Sequence, residues 1–214
     1  MVVRPVSSPL NRTELNWRET LIAAVSPFGA GVEPLQVIGY RSADAYRPSK
    51  TAAVLVAVLD IDEPEVVLTR RADHLVQHAG QVSFPGGAAE EHDDSAVQTA
   101  LREAHEEIGL RSEQTRPIGF LDRMDTISDY RVLPVVALVS CPVVWQLDLS
   151  EVVEVFTVPL TVALDRSRYV QKKVERDGRE HRIWSLQWGK HNVWGATAAM
   201  LLNLVSRVER VRAS

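Results

Sequence analysis

The segment between residues 96 and 109 restricts the possible folds of this chain more than any other. Its apolar residues recur at spacings of three or four and so fall on one stripe of an α-helix: Val97, Leu101, Ala104 and Ile108. Three side chains that can cap a helix start lie just before it: Asp93, Asp94 and Ser95. Gly109 can adopt the left-handed conformation that ends a helix. The pattern predicts a helix over 96–108 that packs its apolar stripe on another layer of the protein.

Three glutamates, Glu103, Glu106 and Glu107, share one turn of this helix. Like charges three or four residues apart repel each other and cost about 0.2–0.5 kcal/mol per pair. Such a cluster usually has a compensating cation, and carboxylate oxygens suit a hard ion such as Mg²⁺. On spacing alone, an ordinary solvated helix face explains the three glutamates equally well.

The residues around the glutamates favour a metal site. Glu103 and Glu107, one turn apart, can share an ion, while Glu106 can bind a second ion or act as a base. Arg102 stands four residues before Glu106 and can hold it by a charge-assisted hydrogen bond. Upstream, the Phe84–Gly87 turn lets the backbone approach closely, so that a carbonyl can complete the metal shell. A site of this kind stabilises charge on a phosphate chain and activates water.

Composition excludes several classes of function. The chain has 214 residues and a net charge of −4, with no basic block, so we expect no nucleic-acid partner. It lacks an apolar stretch long enough for a secretory signal or a membrane span. The single cysteine, Cys141, forms no internal disulfide and fits a cytoplasmic location. Cys141 follows an apolar run, which predicts a core position.

Alternating strand and helix patterns predict an α/β layered domain over residues 51–208. Residues 1–50 are expected to carry a helix (12–26) and a connector, and residues 209–214 to form a C-terminal tail. Pro85-Gly86-Gly87 is expected to end a short strand. Strands are predicted over 51–59, 65–70, 81–84, 116–121, 132–140, 169–175 and 181–187, with a terminal helix over 193–208 and mixed signals over 152–164.

The acidic helix resembles the Nudix box, G-x5-E-x7-R-E-U-x-E-E-x-G-U, in which U is aliphatic. Two features depart from it: Asp93 replaces the early glutamate, and the gap to Arg102 is one residue longer. The early acid is usually structural, so the departures concern loop geometry more than metal binding. The matching residues are Arg102, Glu103, Ala104, Glu106, Glu107, Gly109 and Leu110.

The resemblance implies a Nudix-type α/β/α sandwich with a mixed sheet. It also implies hydrolysis of a nucleoside diphosphate linked to another moiety, with Mg²⁺ or Mn²⁺ as cofactor. By this resemblance Glu103 and Glu107 are the main metal ligands, and Glu106 is a further ligand or the base. Arg102 orients the glutamates, and a carbonyl at Gly86 or Gly87 joins the shell.

The segment over 67–87 is similar to the coenzyme A pyrophosphatase signature, L-L-T-x-R-[SA]-x3-R-x3-G-x3-F-P-G-G. Val76 stands where that signature has arginine. The similarity implies that a homodimer cleaves coenzyme A (CoA), or acyl-CoA, to 4′-phosphopantetheine and adenosine 3′,5′-bisphosphate. The candidate substrate-binding residues are Arg70, Arg71, His78 and Gln81. The matching residues are Leu68, Thr69, Arg71, Ala72, Gly80, Phe84, Pro85, Gly86 and Gly87.

Two alternative functions stay open. Val76 favours a Nudix enzyme that acts on ADP-ribose, a dinucleotide or a nucleoside triphosphate. A Nudix-fold binding module without turnover is the other alternative, although such a module has no need of all three glutamates. The base is also open, because Glu151 and Glu154 lie where some Nudix enzymes place theirs.

Overall fold

The computed structural model describes residues 16–31, 49–76, 78–126, 129–176 and 179–214. Four α-helices and eleven strands make up most of this part of the chain. The helices are α1 (Trp17–Ala24), α2 (Ala96–Ile108), α3 (Leu160–Ala163) and α4 (Gly195–Ala213). The strands are β1 (Lys50–Leu59), β2 (Glu65–Arg71), β3 (Val82–Ser83), β4 (Gly86–Ala88), β5 (Thr115–Phe120), β6 (Met124–Asp125), β7 (Tyr130–Val139), β8 (Val152–Pro159), β9 (Tyr169–Arg176), β10 (Arg179–Trp188) and β11 (His191–Trp194).

The main sheet is built around β1 and is mixed. Along one edge, β1 pairs in parallel with β7 over its whole length, from Lys50↔Tyr130 to Leu59↔Val139. Along the other edge it pairs antiparallel with β4 and then with β2. The outer strands β5 and β6 pair with β7, while β3 and β8 pair with β2. A second, antiparallel sheet has the order β11-β10-β9.

Helices cover both faces of the main sheet. Ala53, Leu55 and Ala57 of β1 belong to the core beneath α2. Val56 and Val58 belong to the core that α1 and α4 share. A central strand buried on both faces needs a continuous apolar run rather than an alternating one, and β1 has this run. The predicted α/β/α sandwich with a mixed sheet is therefore confirmed. Within the described ranges, no helix is both long and apolar enough to cross a membrane.

The predicted bounds of α2 are confirmed, and its ends explain them. Ser95 Oγ accepts the Gln98 N–H at 3.2 Å, and Gly109 takes a left-handed φ of 69°. The extended chain after β7 then completes the helix end. The Gln146 N–H donates to the Ile108 carbonyl, and the Asp148 N–H donates to the Glu107 carbonyl, both at 3.0 Å. Both carbonyls belong to the last turn of α2. These bonds fix the turn of α2 that carries Glu107.

The short strand before Pro85 ends as predicted, at Ser83, but the chain does not leave the sheet there, because Gly86–Ala88 forms β4 on the edge of β1. Gly86 has a φ of 151°, which L side chains rarely adopt. A Cβ at Gly86 would lie 2.4 Å from the Ala53 carbonyl oxygen. Only glycine lets the two strands approach this closely, so the motif joins the sheet instead of leaving it.

The predicted domain ends also need correction. Residues 209–213 continue α4 instead of forming a tail, because Val208 is buried and Val211 packs against the core. At the other end, the described part of the predicted N-terminal segment belongs to the same unit, since Leu21 and Ala24 of α1 lie in the core. Residues 12–15 and 32–48 of the predicted helix and connector lie outside the described residues.

The predicted core position of Cys141 is wrong, since the residue is exposed. β7 ends at Val139, and the chain leaves the sheet before the cysteine is reached.

Candidate active site

Helix α2 lies against β4, and Glu103 marks the contact. Its carboxylate sits directly over Gly87: a Cβ there would be 2.5 Å from Glu103 Oε2. The Glu103 side chain is only 15% exposed. Burial raises its pKa, while Arg102 opposes that shift. The carboxylate of Glu103 therefore occupies space that a side chain at position 87 would fill.

Glu107 is the most buried of the three glutamates, with a side chain only 3% exposed. Its Oε2 accepts the Gly86 N–H at 3.1 Å, and its Oε1 accepts Arg71 Nη1 at 3.4 Å. Burial is the main cause that raises the pKa of Glu107 to about 8. Glu107 shares the buried face of α2 with Ala104 and Ile108, where a negative charge is poorly compensated.

Arg102 organises the acidic face of α2. Its Nε and Nη2 bind both oxygens of Asp93, at 3.1 and 2.9 Å. Its Nη1 binds Glu103 at 3.0 Å and Glu106 at 2.9 Å. The side chain of Asp93 is fully buried, and its hydrogen bonds with Arg102 hold its pKa well below the usual range. The early acid thus anchors Arg102 despite the longer gap between them.

Glu106 differs from the other two glutamates because its side chain is 57% exposed. It faces solvent while Arg102 holds it toward Glu103. An exposed, positioned carboxylate of this kind can exchange protons with water. The structure thus separates the three glutamates into one buried, one half-buried and one accessible group.

The donor set fits a hard divalent cation in its chemistry. It consists of carboxylates and backbone carbonyls, and the buried charge of Glu107 has one arginine and one N–H as partners. Among the described residues, no three His, Cys, Asp or Glu side chains lie close enough together to hold a metal ion. The positive charge beside the glutamates comes from Arg71, which pairs with Glu107, and from Arg102, which pairs with Glu103.

A cavity of about 300 Å³ adjoins the glutamates on the side of the sheet that α4 covers. Arg71 and Gly86 line this cavity and also contact Glu107. Its walls come from strands and a helix far apart in the chain. Its apolar lining consists mainly of Val54, Phe84, Met124, Val132, Trp194 and Met200.

Three of the four candidate substrate-binding residues, Arg71, His78 and Gln81, line this cavity. His78 Nδ1 and Gln81 Oε1 lie 3.0 Å apart and form a hydrogen bond. Arg70 is not in the lining and instead pairs with Asp73 at 2.7 Å.

The two alternative bases lie in different places. Glu151 Oε2 is 4.0 Å from Arg71 Nη2, so it lies beside the acidic helix. Glu154 pairs with Lys190 at 3.0 Å and with His191 at 3.3 Å, on the side of β11.

Alanine substitutions at the two glycines should separate activity from stability. Gly87→Ala displaces only the flexible tip of Glu103, so we expect activity to fall about 100-fold with little change in stability. Gly86→Ala meets the backbone of Ala53 at an unfavourable φ and should destabilise the fold by roughly 2–4 kcal/mol. Urea unfolding and kinetic assays of both variants check this. A Gly87→Ala protein with full activity would contradict the placement of Glu103.

Replacing Asp93 by asparagine should cost roughly 2–3 kcal/mol, because Arg102 then loses a buried charged partner. Because the pKa of Asp93 is lowered on folding, its stabilisation is present at neutral pH and is lost as the pH falls below its ordinary value of 3.8. The matched control is Asp94→Asn at the exposed neighbour. Equal urea midpoints for the two variants at pH 7 would show that the Asp93–Arg102 pair contributes nothing.

The chain is similar to known proteins in sequence and in fold. The NUDIX domain family matches residues 49–177 of the chain. An uncharacterized Nudix hydrolase NudL from Enterobacter sp. (strain 638) is 39% identical over 160 residues, covering 74% of this chain and 83% of that protein. Its counterpart from Yersinia enterocolitica is 40% identical over 160 residues, covering 75% and 82%.

A solved structure shares the fold. The crystal structure of MutT protein from Methanosarcina mazei Go1 matches with a TM-score of 0.51 and 18% identity, covering 78% of this chain and 98% of that one. At this identity the likeness concerns the fold alone.

Proposed function

The chain belongs to the Nudix hydrolase family, and on this premise we propose that it hydrolyses the diphosphate bond of CoA or acyl-CoA. The reaction needs Mg²⁺ or Mn²⁺. The products are 4′-phosphopantetheine and adenosine 3′,5′-bisphosphate, or the corresponding acyl-phosphopantetheine.

The observation that carries this proposal is the contact between two motifs. Arg71 and Gly86 belong to the segment similar to the CoA pyrophosphatase signature, and both bind the carboxylate of Glu107 in the acidic helix. This contact supports the proposal that the segment over 67–87 and the acidic helix act together in one site. If either sequence similarity were a coincidence, there would be no reason for the two segments to be in contact.

Each residue of the site has a role in the proposed reaction. Glu103, Glu107 and a carbonyl at Gly86 or Gly87 would hold the cation, which when bound neutralises diphosphate oxygens and lowers the pKa of water. Arg102 keeps Glu103 and Glu106 in position.

Glu106 is a further ligand or the base that takes a proton from the attacking water, because its accessible carboxylate can pass that proton on to solvent. Glu151 is the alternative base, since it is 48% exposed and lies beside Arg71.

Arg71 is suited to the diphosphate itself. Its Nε is buried and has no hydrogen-bond partner within the described residues. Its guanidinium lines the cavity while facing Glu107. A diphosphate oxygen would satisfy the unpaired donor with a charge-assisted hydrogen bond. His78 and Gln81, which line the same cavity, are the other candidate substrate contacts.

One observation favours a different nucleotide substrate. Val76, at the position where the CoA signature has arginine, is fully exposed to solvent. It supplies no cation for an additional phosphate such as the 3′-phosphate of CoA. A Nudix hydrolase of ADP-ribose, a dinucleotide or a nucleoside triphosphate is therefore the second candidate.

A substrate panel tests the proposal. The protein is incubated with CoA, an acyl-CoA, ADP-ribose, a dinucleotide and nucleoside triphosphates, each with Mg²⁺ or Mn²⁺, and products are identified by mass spectrometry. We expect CoA or its acyl ester to be cleaved fastest. Intact CoA in a sample that consumes another nucleotide would select the second candidate. A folded protein that cleaves none of them would indicate a binding module.

A further inference from the structure

The cavity beside the glutamates is too small for a whole dinucleotide-like substrate. Ligand pockets usually measure about 300–1,000 Å³, and this one has about 300 Å³. Because Arg71 and Gly86 form part of its wall and also bind Glu107, it opens directly onto the place proposed for the diphosphate. It can therefore take only the chemical group next to that diphosphate.

Most of the polar side chains in the lining already bond to other groups of the protein, although Arg71 Nε does not. Thr197 Oγ1 donates to the Val82 carbonyl at 3.0 Å, and Ser83 Oγ lies 3.1 Å from Thr69 Oγ1. Thr126 Oγ1 bonds with the backbone of Tyr130. His78 and Gln81 bond to each other. A ligand with many hydrogen-bonding groups would find few free partners, so the cavity favours an apolar group.

The apolar walls suit a branched aliphatic group rather than a flat or charged one. Met124 and Met200 have flexible side chains that adapt to irregular shapes, and Phe84 and Val132 add fixed apolar surface. Arg71, His78, Gln81 and Trp194 also line the cavity, and their nitrogen atoms are the polar groups that a ligand can reach. A hydroxyl or an amide of a ligand can bond to one of these groups.

The two halves of CoA differ in the group next to the diphosphate. On one side stands a ribose that carries a phosphate, and burying this charge among methionine and valine side chains would be costly. On the other side stands the pantoyl group, a CH₂ attached to a carbon with two methyl groups, followed by one hydroxyl and an amide. The pantoyl side, with two methyl groups, one hydroxyl and one amide, matches this mainly apolar cavity better than the charged ribose does.

We infer that the cavity between α4 and the β3–β4 segment binds the pantoyl end of the pantetheine half, while the adenosine half stays outside it. The inference rests on the proposed function. It makes Met124, Met200 and Ala196 specificity-determining contacts for that half of the substrate.

Methionine methyl NMR tests the placement without turnover. The chain has three methionines, and two of them, Met124 and Met200, line the cavity. The probes are 4′-phosphopantetheine and adenosine 3′,5′-bisphosphate, each titrated with Mg²⁺ present, and Met124→Leu assigns the signals. We expect 4′-phosphopantetheine to shift both cavity signals and the bisphosphate to shift neither.

Other results would overturn the inference. Cavity signals that move with the bisphosphate would place the adenosine half in the cavity. A phosphopantetheine titration that leaves both signals unmoved would show that the cavity does not take the pantoyl group. Intact CoA in the substrate panel rejects the proposed function itself, whereas cleaved CoA with either of these NMR results rejects only the cavity assignment.

A cavity-filling variant adds an independent measurement. Ala196→Leu on the first turn of α4 should weaken 4′-phosphopantetheine binding about tenfold or more, because the added side chain takes the space of several ligand carbons. Binding of the bisphosphate should stay within about twofold of wild type. The matched control is Ala213→Leu, exposed at the other end of α4. Equal losses for both ligands at a wild-type melting temperature would contradict the assignment.

Discussion

Replacing Glu107 by glutamine is expected to lower the rate of CoA hydrolysis by about three orders of magnitude. Glutamine keeps the shape of the side chain but removes the charge that would bind the cation, and cation catalysis contributes several kcal/mol of transition-state stabilisation. The variant should stay folded, because a neutral amide is easier to bury than a carboxylate. Steady-state kinetics with Mg²⁺ and a thermal melt of the same sample measure both effects.

The control for this variant is Glu63→Gln, in the exposed turn between β1 and β2. It makes the same chemical change far from the site and should leave the rate unchanged. A Glu107→Gln protein with wild-type turnover would remove Glu107 from the metal site. A loss of turnover accompanied by unfolding would instead assign the residue a structural role.

The stability of the metal-free protein should fall as the pH rises from about 4.5 to about 8. The pKa of Glu107 is raised on folding, from an ordinary value of 4.5 to about 8. Between these values the folded state binds more protons than the unfolded state, so raising the pH favours unfolding. At about 1.4 kcal/mol per pKa unit, this residue alone can account for roughly 4–5 kcal/mol across that range.

Urea unfolding in chelator, at several pH values, measures this effect as the difference between wild type and Glu107→Gln. The difference removes the contributions of all other titrating groups. Adding Mg²⁺ at pH 8 should then stabilise the wild type and have little effect on the variant, because a cation that binds only the folded state stabilises it. Parallel stability curves for the two proteins would contradict the assigned protonation of Glu107.

Local patterns were sufficient to predict the bounds of α2. The bounds 96–108 were correct because cap, apolar period and terminating glycine all lie within fifteen residues and act on the same helix. The i, i+4 contact of Arg102 with Glu106 also follows from helix geometry alone. The central strand was predicted within one residue because a strand buried on both faces needs an uninterrupted apolar run.

Other features of the fold and the site depend on contacts with residues far away in the sequence, which a local pattern does not reveal. Gly86 looks like a turn residue, and its place in β4 follows only from the close approach to Ala53. Burial of Glu107 depends on β4, Arg71 and the chain around Asp148, which come together from three separate segments. The apolar cavity likewise needs β6, β7 and the start of α4 to meet.

The sequence by itself determined the layered fold and the acidic helix, because helix period, strand burial and capping are local properties. Only the tertiary structure decided which glutamate is buried and which is accessible, and which apolar side chains line the cavity. Burial and charge compensation depend on contacts between residues distant in the chain, and these contacts exist only once the sheet and its two helical layers have packed together.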